Sequence, residues 1–80
     1  MITGMTQTTS RIADKVRGVA AEKRFTQGTI AQTLGIARSS VAERIAGRVS
    51  FTADELLALS IAMDVPVSRF FPESPSERAA

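Results

Sequence analysis

Cysteine, histidine, tryptophan and tyrosine are all absent from this chain of 80 residues, and its only aromatic side chains are four phenylalanines. Without thiolate or imidazole the usual zinc and transition-metal ligands are missing, as are the strongest natural nucleophile and the side chain that titrates nearest neutrality. Cysteine proteases, histidine-dependent triads, zinc enzymes and disulfide scaffolds are thereby excluded, and no metal or other cofactor is expected. The carboxylates are dispersed among helix caps and charged faces, and no nucleophile has a base beside it in sequence, so no catalytic residue is nominated and an enzyme is not expected. Long apolar runs are lacking too. Nothing approaches the roughly 20 residues that span a bilayer, and Met1 to Ser10, mostly Thr, Gly and Gln, is no secretory signal. The expectation is a soluble intracellular chain with no membrane partner. A chain this short buries only about 60% of the surface its unfolded form exposes, so its core is limited to about a dozen apolar side chains. With disulfide and metal gone, association with another chain is the remaining aid to stability.

What is present is a polarised charge. The net charge is only +2, but residues 1 to 50 carry +5 and residues 51 to 80 carry −3. A basic first part points towards a polyanion, although small domains also segregate charge by chance.

Apolar periodicity divides the chain into helices. Ile12, Val16, Val19 and Ala20 share one face of a first helix over about Ser10 to Lys23, with Thr9 or Ser10 to cap it. Thr26 opens a second helix that turns Ile30, Ala31 and Leu34 to one side and stops at Gly35. Gly28 inside it costs about 1 kcal/mol relative to Ala. A third helix, Arg38 to Ala46, stacks Val41 on Ile45 and ends at Gly47. Thr52-Ala53-Asp54-Glu55 has the form of a capping box and opens a fourth helix to about Met63. Pro66 starts a short fifth helix through Phe71, and Pro72 closes it. No stretch alternates with period two, so the domain is all-α with five helices over residues 9–72. Residues 1–8 and 73–80, rich in Thr, Ser, Pro and Glu, are expected to be loose arms. Ile30, Val41, Ile45 and Phe51 are expected in the core.

The link Gly35-Ile36-Ala37 is too short for two helices to lie antiparallel and instead suits a helix-turn-helix. The run Phe25-Thr26-Gln27, Ile30-Ala31-Gln32-Thr33-Leu34-Gly35-Ile36-Ala37-Arg38-Ser39-Ser40-Val41 and the closing Gly47 resembles the helix-turn-helix of the lambda-repressor and Cro-like, or Xre, family. Phe51-Thr52-Ala53-Asp54-Glu55-Leu56 and Met63-Asp64-Val65-Pro66 are similar to the fourth helix and turn that follow in that family, so the resemblance spans about residues 10 to 71. Two positions depart from the pattern. Ala37 stands where Ser or Thr usually caps the recognition helix, and Gly28 stands where a good helix former is usual.

The resemblance implies a sequence-specific regulator of transcription on double-stranded DNA: a phage or prophage repressor or Cro-like switch protein, with a restriction-modification control protein, bacterial regulator or antitoxin similar in design. Such a protein would be cytoplasmic and nucleoid-associated, and at this length it would have no second, ligand-sensing domain. Arg38, Ser39, Ser40 and Glu43 match base-facing positions of the recognition helix, and Gln27 matches a phosphate-contacting position, with Thr26 beside it. Their chemistry fits: Arg can donate twice to guanine, Ser can pair with several bases, and Glu can accept from cytosine N4. Arg44, Arg48 and Ser50 fall where cations and hydroxyls hold flanking phosphates. Glu43 has a second reading, since a carboxylate near phosphates repels and can instead pair with Arg44 or Arg48.

Leu56, Leu59 and Met63 form the inward stripe of the fourth helix, while Leu57 and Ile61 lie off it and Phe70-Phe71 sets two rings side by side. Leu57, Ile61 and one ring of Phe70 and Phe71 form either a homodimer surface or ordinary exposed apolar groups. The alternative function, a protein-interaction module that keeps the fold without DNA binding, gives no reason for Arg38 or for Arg44 with Arg48.

Overall fold

A computed structural model describes residues 3–72, with side chains from Thr8 onward. The described chain is helical without strands: α1 (Thr3–Glu22), α2 (Gln27–Leu34), α3 (Arg38–Ile45), α4 (Ala53–Met63) and one turn of 3-10 helix, Val67–Phe70. Helix α2 packs against α3 and α4, while α1 packs against α3 and the 3-10 turn, which also rests on α4. Val16, Val19, Ala20, Ile30, Ala31, Val41, Leu56, Leu59, Met63 and Phe70 form one buried cluster drawn from all five elements.

The boundaries follow from local chemistry. The hydroxyl of Thr26 accepts from the Thr29 amide at 3.1 Å and caps α2. Gly35 ends that helix at φ 68°, a left-handed conformation available to glycine without a Cβ penalty. At α4 the capping box is complete: the Glu55 amide donates to the Thr52 hydroxyl and the Thr52 amide to the Glu55 carboxylate, each at 3.0 Å. Ala37 provides no side-chain cap to α3, which forgoes about 1 kcal/mol.

The structure corrects three expectations. Helix α1 begins at Thr3, so the arm expected over residues 1–8 is helical from Thr3 onward. Neither Thr9 nor Ser10 caps it. Both lie inside the helix beneath the loop that follows α3, where the Thr9 and Ser50 hydroxyls approach to 3.2 Å. Nothing between Thr3 and Ser10 breaks a helix as proline would, and weak propensity alone does not decide a boundary. The fifth helix is a single 3-10 turn with Pro66 at its cap position. Phe71, biased by the following Pro72 towards extended backbone, adopts φ −106° and ψ 142° and leaves no room for an α-helix. Ile45 and Phe51 are only partly buried, packed against the cluster from its edge. The tail expected over residues 73–80 lies outside the described residues.

Candidate nucleic-acid interface

Helices α2 and α3 meet through three residues. The Ile36 amide returns to the Ala31 carbonyl at 3.1 Å, closing the end of α2, and the backbone then enters α3 through an extended Ala37. Val41 points inward and is fully buried, which turns the opposite face of α3 to solvent. Arg38 and Ser39 are exposed at its first turn, Ser40 is half-buried, and Glu43 follows one turn later on the same side as Ser39 and Ser40. Thr26 and Gln27, both exposed, lie at the start of α2. Thr26, Gly28, Thr29, Gln32 and Arg38 line one shallow groove between the two helices.

Gly28, a weakness by helix propensity, lies on the wall of this groove. A Cβ at this position would lie 3.7 Å from the Thr26 hydroxyl and 3.8 Å from Arg38 Nε. These are ordinary van der Waals distances, so the guanidinium of Arg38 lies beside the first turn of α2 and a Cβ at Gly28 would fit without displacing it. Arg38 forms no ion pair or hydrogen bond among the described residues. Of the eight basic groups in residues 1 to 50, Arg17, Arg44 and Arg48 are paired with carboxylates, while Arg11, Lys15, Lys23, Arg24 and Arg38 have no carboxylate partner among the described residues.

Arg44 differs from its expected role. Its Nε donates to Glu55 at 2.9 Å and its Nη1 to the Ser40 carbonyl at 3.1 Å, and only 17% of the side chain is exposed. It ties α3 to the capping box of α4 and does not face outward as a phosphate ligand. Burial raises the Glu55 carboxyl, but hydrogen bonds from Arg44 and the Thr52 amide outweigh it and hold the group below its ordinary value of 4.5. Ser50 is exposed in the loop after α3.

Glu43 and Arg48 find each other. Arg48 Nε and Nη2 donate to the two carboxylate oxygens at 3.1 and 2.8 Å, a two-pronged contact. Gly47, at φ 82°, reverses the chain between them, and a Cβ there would lie 3.3 Å from the Ser10 hydroxyl. The hydrogen bonds from Arg48 and its charge lower the Glu43 carboxyl, and Arg48 is raised in turn.

Leu57 and Ile61 are exposed on α4 (53% and 72%), as is Phe71 (45%) after the 3-10 turn, whereas Phe70 is fully buried. The side-by-side rings thus have different fates. Phe70 belongs to the core and is removed from the candidate dimer surface, while Phe71 stays with Leu57 and Ile61 in the exposed set.

Two links to α3 go beyond the sequence reading. The Arg44–Glu55 pair joins residues eleven apart on different helices, and Arg17 of α1 donates to the Ile45 carbonyl at the end of α3 at 3.4 Å. Neither leaves a periodic signal.

The fold is shared with a solved structure, that of the restriction-modification controller protein C.AhdI from Aeromonas hydrophila. The TM-score is 0.71 at 24% identity, over 79% of this chain and 96% of that one. The likeness in fold agrees with the resemblance to the Cro-like, or Xre, helix-turn-helix family carried by residues 10 to 71. No family model matches the chain, and no curated protein matches it. Among the described residues no helix is long and apolar enough to cross a membrane.

Proposed function

We propose that this domain is a sequence-specific regulator of transcription that binds double-stranded DNA with α3 in the major groove. The observation that carries this reading is the outer face of the α2–α3 unit. It presents Arg38, exposed and unpaired among the described residues, beside exposed Ser39 at the open start of α3. A protein-interaction module would have no need of an unpaired guanidinium there. Arg38, Ser39, Ser40 and Glu43 are the base-reading set, Arg38 by a two-pronged contact to guanine. Thr26, Gln27, Arg48 and Ser50 bracket the groove on phosphates. Arg44 positions α3 from behind. The fold shared with a restriction-modification controller supports a regulatory role, and phage repressors and Cro-like switches share the same design.

Leu57, Ile61 and Phe71 form the surface for a second copy. Pairing there would present two recognition helices about 34 Å apart and select a two-fold operator. Selection of bound duplexes from a random pool tests the reading. An enriched sequence with two related half-sites is expected, and recovery of an unenriched pool contradicts it. Sedimentation of the wild type and of the Leu57→Glu/Ile61→Glu variant tests the pairing, with monomers in both as the contrary result.

A further inference from the structure

The contact between Glu43 and Arg48 connects two groups with different tasks in the proposed complex. Glu43 lies one turn after Ser39 and Ser40 on the base-facing side of α3, and Arg48 lies in the loop that would meet the backbone. Their side chains are 46% and 63% exposed, yet both carboxylate oxygens are taken by one guanidinium. The pairing is set by the backbone. The Arg48 and Val49 amides both donate to the Glu43 carbonyl, at 3.0 and 3.3 Å, and Gly47 is confined by its left-handed φ and by Ser10.

A guanidinium whose charge is offset by a carboxylate, and two of whose five N–H donors are taken, gives less to a phosphate, and a carboxylate beside a phosphate repels it. We propose that Glu43 withholds Arg48 from the DNA backbone until it finds a base-edge donor, such as cytosine N4, so that one base pair decides whether one phosphate is clamped. On the matching sequence the carboxylate accepts from the base and the guanidinium is released to the phosphate. On other sequences the pair stays closed and its net charge is zero. Glu43 and Arg48 then determine specificity jointly, and non-specific binding is suppressed by the same contact. This inference rests on the DNA-binding reading above.

The test compares the wild type, Arg48→Ala, Glu43→Gln and the double variant on a duplex selected from the random pool and on a duplex of scrambled sequence. The quantity read is the slope of log affinity against log salt concentration. With Glu43 present, Arg48→Ala is expected to lower the slope by about 0.9 on the selected duplex and by less than about 0.3 on the scrambled one. In the Glu43→Gln background it is expected to lower the slope by about 0.9 on both, and Glu43→Gln alone to tighten scrambled-sequence binding about tenfold. Equal losses on the two duplexes with Glu43 present would overturn the coupling and leave DNA binding standing. A wild type that does not prefer the selected duplex overturns the reading beneath it.

Discussion

Helices α3 and α4 begin in opposite ways. The first turn of α4 is closed: Thr52 and Glu55 satisfy each other's backbone, and Arg44 seals the Glu55 carboxylate from the other side. The first turn of α3 has only Ala37 before it, no side-chain cap, and exposed Arg38 and Ser39. Burial follows the same division, since α4 contributes Leu56, Leu59, Ser60 and Met63 to the interior and α3 only Val41. Helix α4 is built for stability and lends it to α3 through Arg44, and in the proposed reading this lets the first turn of α3 stay open for DNA.

The contrast can be broken first in the core. Phe70→Ala is expected to cost about 3–5 kcal/mol, whereas Phe71→Ala should change the stability of the single chain by less than about 0.5 kcal/mol. Denaturant unfolding of both variants at a concentration too low for association checks this, and equal losses would mean that both rings serve the core. The closed start of α4 comes next. Glu55→Ala removes half of the capping box and strands the part-buried Arg44, and a loss of about 2 kcal/mol is expected by the same measurement. At the open start of α3, Ala37→Ser should add about 0.5–1 kcal/mol while leaving base preference unchanged. If instead it changes which base pairs are preferred, the cap position takes part in reading.

Acid sharpens the comparison with the smallest effect. The carboxyls of Glu22, Glu43 and Glu55 are all held below 4.5 in the folded chain by Arg69, Arg48 and Arg44 in turn, in the case of Glu55 against the opposing effect of burial. A folded-state value below the unfolded one means that the unfolded chain binds more protons in the interval between them. The stabilisation is therefore complete above about 4.5 and is lost as pH falls through the depressed values. Unfolding free energy should be flat from neutrality down to about pH 5 and decline below it. In Glu55→Gln the decline should be shallower, because the most enclosed of the three no longer titrates.

How much of this was legible in the sequence varies with the range of the interaction. Thr26, Gly35, Gly47 and the Thr52–Glu55 box act within a few residues, and each marks the boundary that the structure shows. The start of α1 was not legible, because Thr-rich residues 3–9 have weak propensity and the loop after α3 lies over Thr9 and Ser10. At the site, Arg38 and Ser39 are exposed where the resemblance puts them. Arg44 is not, because an arginine's partner is chosen by tertiary proximity, and Glu55 is reached only once α3 and α4 pack. The pairing of Glu43 with Arg48 stood open in the sequence beside a base-reading role, and the left-handed Gly47 brings the two side chains together. Phe70 and Phe71, adjacent and chemically identical, could be told apart only by the 3-10 turn that buries one of them.

In the proposed complex Arg38, at the open start of α3, reads a base. Binding of wild type and Arg38→Ala to the selected duplex, and to duplexes with each base pair of it substituted in turn, tests that claim most directly. Arg38→Ala is expected to abolish discrimination at one position of each half-site, about 10- to 100-fold in affinity, and to preserve it at the others. Uniform weakening on every duplex, or no change at all, would contradict it.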